Sequence, residues 1–240
     1  MEKLPIRIKT MLNILCYLVK KAPEAANSYE IREKGKVGTQ PTVLKVLGEL
    51  KSRRLLDVET TIRKARGGKP SERYVLTRDG VMFLLNHPRQ MKEHRLNVDL
   101  VVGKYVNLFP EIFGFWPLFK QEGIIDLARC SLRQTANYGF DGSYFSLNWG
   151  TRWVRMGETF EAVFFRTIMH PDQFEYPGPS FHLDNWLSSR WQRWLKAMKA
   201  SPELRSEVAS AINSENSSLE ERMTKLREDL KANQDRLKQL

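Results

Sequence analysis

Cysteine is scarce in this chain, and a long apolar run is missing. Cys16 and Cys130 are the only two cysteines among 240 residues and lie far apart in the sequence, so neither a disulfide framework nor a cysteine-based metal site is predicted. No stretch approaches the roughly 18 apolar residues that a membrane-spanning helix needs. The N-terminal segment mixes charges into its apolar residues, unlike a signal peptide. We therefore expect a cytoplasmic protein without a membrane partner.

Signatures of catalysis and of cofactor binding are also missing. The histidines show no metal-ligand spacing with one another or with the cysteines; they are His87, His94, His170 and His182. The sequence has no phosphate-binding P-loop, no dinucleotide fingerprint and no G-x-S-x-G elbow. Scattered carboxylates of the middle region could in principle assemble a magnesium-dependent nuclease site, although such residues are usually solvated; they are Asp126, Asp141, Glu158, Glu161, Asp172 and Glu175. We expect no enzyme, no cofactor and no bound metal.

Acidic residues are scarce relative to basic ones in the first third of the chain but not in the rest. Residues 1–90 hold 19 Lys and Arg against 9 Asp and Glu, whereas residues 91–240 hold 20 against 19. Nearly all of the net charge of +11 therefore belongs to the first segment. A basic surface confined to one small domain is typical of a module that binds a polyanion.

Helices are predicted at the start of this basic segment. Apolar residues recur at intervals of three and four between residues 8 and 19, which is typical of a helix with one buried face, and Pro23 ends that helix. A helix of one to two turns follows within residues 28–34, and a glycine turn at Gly38 comes next. Two helices joined by a tight turn are typical of a helix-turn-helix, although many helical hairpins look similar.

The third helix is predicted to begin near Pro41, where a missing N–H costs little. Its inward-facing positions are apolar, and its outward-facing positions lie chiefly in its N-terminal half. The outward-facing residues are Thr39, Gln40, Thr42, Lys45, Glu49 and Ser52. This surface could be a DNA-reading face or simply a solvated helix face.

A β-hairpin with a strongly basic tip is predicted next. Residues 55–62 are rich in β-branched residues, and residues 73–76 can pair back on them. Gly67 and Gly68 then supply the turn. The cations around it repel one another unless an anion such as a phosphate group neutralises them; they are Arg63, Lys64, Arg66, Lys69 and Arg73. Thr77 is placed to cap the helix that follows.

The stretch that closes the hairpin resembles the winged helix-turn-helix transcriptional regulators. Tyr74-Val75-Leu76-Thr77-Arg78-Asp79-Gly80, followed by Leu84, is similar to the Y-x-L-T-x-x-G-x-x-x-L pattern of regulators of the PadR, MarR and ArsR groups. The resemblance covers about residues 5–88. It implies base contacts from Thr39, Gln40, Thr42 and Lys45, and phosphate contacts from Arg63, Lys64, Arg66, Lys69 and Arg73. A solvated loop on a protein-binding winged helix is the alternative.

The middle of the chain is rich in aromatic residues. Residues 99–194 hold 21 of the 25 aromatic residues, which could line a pocket for a small-molecule effector or fill a core or a subunit interface. Helices are predicted within residues 91–135. The segment FEAVFFRTIM, residues 160–169, has the composition of a buried strand, and a buried helix is the alternative.

The tail carries a heptad seam. A short helix is predicted from Pro202, a polar hinge over residues 213–218, and then an amphipathic helix. Its seam residues keep a four-three alternation; they are Leu219, Met223, Leu226, Leu230, Asn233, Leu237 and Leu240. We expect dimerisation through Leu219, Met223, Leu226, Leu230 and Leu237. A parallel pair would bring Arg222 near Arg227 of the other copy, which mildly disfavours that orientation. An antiparallel pair and a helix docked on its own domain are the alternatives, and the seam suits both equally.

Together these features predict an α+β, mainly α protein in three segments. They are a winged-helix DNA-binding domain (1–90), an aromatic-rich assembly or effector domain of mixed helix and strand (91–200), and a helical tail that could form a coiled coil (201–240). We expect a homodimeric, nucleoid-associated, sequence-specific regulator of transcription, by default a repressor, that binds double-stranded DNA. The alternatives are a DNA-processing or replication-initiation protein and a non-specific architectural DNA binder.

Overall fold

The computed structural model describes residues 5–61, 71–139, 160–169 and 183–237. This part of the chain is mainly helical and contains a small three-stranded antiparallel sheet, which confirms the predicted class. None of its helices is long and apolar enough to cross a membrane. The helices are α1 (Ile6–Lys21), α2 (Ser28–Gly35), α3 (Gln40–Ser52), α4 (Arg78–Leu85), α5 (Pro88–Glu93), α6 (Val98–Lys104), α7 (Pro110–Phe113), α8 (Trp116–Gln121), α9 (Ile125–Gly139), α10 (Phe160–Met169), α11 (Leu183–Ala200) and α12 (Pro202–Leu237).

The described residues divide into two compact units. One contains residues 5–61, 71–116 and 132–139, and the other contains residues 117–131, 160–169 and 183–237. This division does not follow the order of the chain, and the three sequential segments expected above stay a prediction.

The sheet of the first unit is built from two long strands and one short strand. The strands are β1 (Ala26–Asn27), β2 (Leu56–Thr61) and β3 (Ser71–Leu76), in the spatial order β1-β3-β2. β2 and β3 pair in antiparallel register from Leu56 opposite Leu76 to Thr61 opposite Ser71, which confirms the predicted hairpin. β1 was not expected, because two residues are too few to show an alternating pattern.

The core of the first unit forms where α1 packs against α2, α3, α4 and the sheet. The predicted apolar stripe of α1 is buried from Met11 to Val19 and extends to Ile14 and Cys16. Burial raises the pKa of the Cys16 thiol to about 12, so it stays protonated and unreactive. Lys104 of α6 donates hydrogen bonds to two backbone carbonyls at the C-terminal end of α1, where a cation is favoured.

The described aromatic residues of the second unit fill a core. Phe119 lies 6.4 Å from the ring of Phe164 and 5.9 Å from that of Trp194, measured between centroids, and all three side chains are fully buried. The indole N–H of Trp194 donates to the sulfur of Met169 over 3.3 Å. This packing favours the core-filling alternative for these residues.

For this unit one open alternative is decided and one expectation was wrong. FEAVFFRTIM forms the helix α10 rather than a strand, and its buried residues include Phe160, Phe164 and Ile168, a spacing of four that suits a helix packed on one side. The expected hinge at residues 213–218 is absent, since α12 runs unbroken from Pro202 to Leu237. Asparagine and serine lower helix propensity by less than about 0.7 kcal/mol each, and this stretch has no glycine or proline.

Candidate nucleic-acid interface

A capped helix and a tight turn determine where α3 begins. The Asn27 side chain accepts a hydrogen bond from the Glu30 backbone N–H over 2.9 Å, and the Glu30 carboxylate accepts one from the Asn27 N–H over 3.2 Å. This capping box starts α2. The turn after α2 contains Lys36 with φ +51° and Gly38 with φ +107°, and Val37 between them is buried. The Asn-Ser-Tyr-Glu sequence at residues 27–30 is the signal for the capping box, and the sequence analysis missed it.

Packing on one side fixes the orientation of α3. Val43, Val46, Leu47 and Leu50 are buried as predicted. Glu49, expected to face outward, instead forms an ion pair of 2.5 Å with Arg7 of α1 and a second one with Arg53. Only 10% of the Glu49 side chain is exposed. An arginine 42 residues away in sequence cannot be recognised as its partner from local periodicity.

The four predicted base-contacting residues come together in the first two turns of α3. Thr39 is the N-cap residue but makes no capping hydrogen bond with its side chain; its hydroxyl pairs instead with that of Thr42 over 2.9 Å. Thr39, Thr42 and Lys45 are exposed. The partial positive charge of a helix N-terminus favours nearby anions, so this end of α3 suits contact with a polyanion.

Gln40 is held more firmly than its neighbours. Its amide N–H donates to the Ser28 hydroxyl over 3.1 Å, which ties the start of α3 to the start of α2. Its buried amide oxygen has no hydrogen-bond partner within the described residues, and an unpaired buried acceptor favours any arrangement that supplies a donor. Gln40, expected to face outward, is therefore half-buried where α2 and α3 meet.

The exposed surface of α3 also includes two residues that sequence reasoning missed. Leu44 is 49% exposed, one turn after Gln40, and Gly48 follows one turn later in open space, where an added Cβ would meet nothing within 4 Å. An exposed leucine close to a lysine and a threonine gives a small apolar patch on a polar face. The exposure of Leu44 could have been predicted from its position, because residue 44 lies outside the buried stripe of α3.

The base of the hairpin is held by polar contacts. Arg73 lies within β3, opposite Glu59 of β2, and its guanidinium donates two hydrogen bonds to the Ala25 carbonyl at 3.1 and 2.8 Å. It also lies 3.8 Å from the Glu30 carboxylate. Arg73 therefore joins the sheet to α2, and it belongs to β3 rather than to residues 62–70.

A second set of polar contacts, made by Glu72 with Tyr74 and Lys51, stabilises the hairpin. The Tyr74 hydroxyl donates to a Glu72 carboxylate oxygen over 2.7 Å, which lowers the pKa of Glu72 below its usual value. Burial raises the pKa of Tyr74. Lys51 at the end of α3 lies 3.4 Å from Glu72, so the helix and the strand are linked directly.

Four of the five predicted phosphate-binding cations lie outside the described residues. Arg63, Lys64, Arg66 and Lys69 belong to residues 62–70, which follow β2 and precede β3 in sequence. We call residues 62–70 the tip segment. Among the described residues, exposed Lys34, Lys36 and Lys45 add positive charge around α2 and the start of α3.

Four of the five predicted dimerisation residues lie on an exposed face of α12. Leu219, Met223, Leu226 and Leu230 are 41%, 50%, 64% and 59% exposed, an unusual state for four large apolar residues on one helix face. The helix contains position 237, but the Leu237 side chain lies outside the described part.

The acidic residues of the nuclease alternative are not assembled in the described part of the chain. Asp126 lies 3.3 Å from Arg129 and 3.8 Å from Arg190, which is an ion-pair environment. Asp141, Glu158, Asp172 and Glu175 fall outside the described residues. No group of three or more His, Cys, Asp or Glu side chains within the described ranges could hold a metal ion.

Comparison of the chain with family models, with curated proteins and with solved structures found no match.

Proposed function

We propose that this protein is a sequence-specific regulator of transcription that binds double-stranded DNA through a winged helix-turn-helix formed by its first ninety residues. The observation that carries the proposal is the exposed N-terminal end of α3, where Thr39, Thr42 and Lys45 lie beside the uncapped helix terminus. The element order α1, β1, α2, α3, β2, β3 and the strand order β1-β3-β2 support it, because such modules present their third helix and a hairpin wing to DNA.

In this proposal α3 enters the major groove. Thr42 reaches a base edge as a hydrogen-bonding side chain, and Lys45 reaches a guanine or a phosphate. Gln40 instead holds the start of α3 on α2 through Ser28. The methyl groups of Leu44 contact a thymine methyl, which is the apolar readout that the major groove offers. The Arg7–Glu49–Arg53 ion pairs and the Gln40–Ser28 hydrogen bond keep α3 in one orientation, which base readout requires.

The tip segment acts as the wing. Arg63, Lys64, Arg66 and Lys69 contact phosphates next to the groove that α3 occupies, and they add affinity without regard to sequence. The regional charge supports this role, since residues 1–90 carry 19 basic against 9 acidic side chains. Arg73 holds the sheet to α2 and has a structural role in this proposal.

A homodimer formed through α12 doubles the module and sets the spacing between two half-sites. The default consequence of binding is repression, because a bound dimer blocks access to a promoter. A small-molecule effector stays a prediction for the aromatic-rich residues 99–194.

The contribution of the tip is tested by its effect on salt dependence. In the variant with alanine at Arg63, Lys64, Arg66 and Lys69, the slope of log Kd against log salt should fall by about 3 to 4, because each phosphate contact contributes about 0.9. The matched control replaces four exposed cations elsewhere with alanine, namely Lys120, Lys199, Arg205 and Lys225. Fluorescence anisotropy with labelled duplex DNA gives both slopes. An unchanged slope in the tip variant would remove the tip segment from the interface.

A further inference from the structure

The exposed part of α12 has a length and a charge pattern that select one pairing partner. Leu204, Val208 and Ala211 are buried where α12 packs against α10 and α11. Beyond Ala211 the helix continues to Leu237, and its described side chains in residues 213–231 are exposed or half-exposed. We call residues 219–230, which carry the exposed Leu219, Met223, Leu226 and Leu230, the free part of α12, and its midpoint falls between Thr224 and Lys225.

Charges beside the seam disfavour a parallel pair. In a parallel coiled coil, a residue that flanks the seam lies close to the partner's flanking residue five positions further along the chain. In this sequence Arg222 would contact Arg227 of the partner at two symmetric positions. These are pairs of like charge, which destabilise such an interface.

In one register of an antiparallel pair, the charges beside the seam attract instead of repelling one another. When Leu219 lies level with Leu230 of the second copy, and Met223 with Leu226, Glu220 lies beside Arg227 of that copy. Arg222 then lies beside Asp229. Two-fold symmetry repeats each contact, so all four of these pairs have opposite charge. The sequence also places an asparagine at position 233 and a second one at position 216, which are level in this register and pair polar with polar.

In the neighbouring antiparallel registers these opposite-charge pairs are replaced by like-charge pairs. A slide by one heptad in one direction brings Arg227 beside Arg227 and Asp229 beside Asp229 of the second copy. A slide in the other direction brings Glu220 beside Glu220 and Arg222 beside Arg222. The favourable register is centred between Thr224 and Lys225, and in it Leu219, Met223, Leu226 and Leu230 all face an apolar residue of the second copy.

We propose that the free part of α12 pairs with a second copy of itself as an antiparallel coiled coil centred between Thr224 and Lys225. This inference deepens the proposed function, since it rests on the homodimer and specifies its geometry. Four large apolar side chains per copy leave water, and the flanking charges decide orientation and register.

Arg227→Glu tests the orientation, because its predicted effect has opposite signs in the two arrangements. In the antiparallel pair the new carboxylate lies beside Glu220 of the other copy at two symmetric contacts, so dimerisation should weaken by roughly tenfold. In a parallel pair it would face Arg222 and tighten the dimer. The double variant Glu220→Arg, Arg227→Glu should restore wild-type dimerisation in the antiparallel pair. Lys225→Glu, on the outer face of the helix, is the control with the same charge change and should have little effect.

Sedimentation equilibrium of the full-length chain without DNA measures these dissociation constants. A wild-type chain that stays monomeric, a tighter Arg227→Glu dimer, or an equal loss in Lys225→Glu would each overturn the proposal. None of these results depends on DNA binding, so a failure here is distinct from a failure of the proposed DNA interface.

Disulfide formation gives a second readout. In a Cys130→Ala background, Leu219→Cys chains mixed with Leu230→Cys chains should cross-link to each other, and neither variant should cross-link to itself. In the proposed register equal positions are about 16 Å apart along the axis, beyond the reach of a disulfide. Buried Cys16, whose pKa is raised to about 12, does not interfere. Self-cross-linking of Leu219→Cys would indicate a parallel pair and overturn the proposal.

Discussion

At the scale of single residues, the junction between the hairpin and α4 depends on Gly80. A Cβ added there would lie 2.1 Å from the carbonyl oxygen of Leu55, so the first turn of α4 can approach the start of β2 only without a side chain. The Thr77 hydroxyl accepts a hydrogen bond from the Gly80 N–H over 3.1 Å and donates one to the Arg54 carbonyl over 2.6 Å. Thr77 and Gly80 therefore attach α4 to the segment that links α3 to β2.

We expect Gly80→Ala to destabilise the protein by at least about 2 kcal/mol, because a buried backbone carbonyl would have to move. Gly48→Ala is the matched control, since an added methyl group at Gly48 meets open space and should stabilise α3 by about 0.5–1 kcal/mol. The midpoint of urea denaturation, followed by circular dichroism, measures both changes. Equal midpoints for the two variants would contradict this account of the junction.

Residue roles were predictable where the signal was local. The Thr77 cap could be predicted because its partner is three residues away, and it is confirmed. The contacts of Arg73 and Glu49 could not, because Ala25 and Arg7 come close only through folding. Charge suggested phosphate binding for Arg73, and position on the helix suggested solvent exposure for Glu49, whereas the fold gives both side chains internal partners.

At the scale of elements, strong local patterns predicted the secondary structure well. α1, α2, α3 and the β2–β3 hairpin lie close to the predicted positions, because each has its own apolar period and turn residues. For α10 the β-branched and aromatic composition favoured a strand and left a helix as the alternative. Its burial against α12 decided in favour of a helix, and composition cannot report that packing.

The exposed face of α3 makes its own prediction through Leu44. We expect Leu44→Ala to leave the fold intact, because the side chain is 49% exposed, and to weaken binding to a preferred site by about 1 kcal/mol or more through loss of a thymine-methyl contact. Binding to unrelated duplex DNA should change little. Leu100→Ala in α6 is the control, since Leu100 is a leucine of similar exposure, 40%. Competition anisotropy with preferred and unrelated duplexes measures the difference. A loss of equal size on both duplexes would mean that α3 does not read bases.

At the scale of the whole molecule, the proposed function rests on the basic first third of the chain. The charge imbalance of residues 1–90 and the exposed end of α3 together favour DNA, and both features were already visible in the sequence. The remaining residues are nearly neutral. We propose that they serve assembly, because the described aromatic residues of the second unit fill a core and α12 leaves an apolar seam exposed.

The central claim is that this protein recognises a DNA sequence. The most direct measurement is selection of genomic DNA fragments by the purified full-length protein at about 0.15 M salt, followed by sequencing of the retained fragments. For a dimeric regulator we expect recovery of a shared motif with two half-sites related by two-fold symmetry. Retention of fragments without any shared motif would contradict it and would favour an architectural or DNA-processing role.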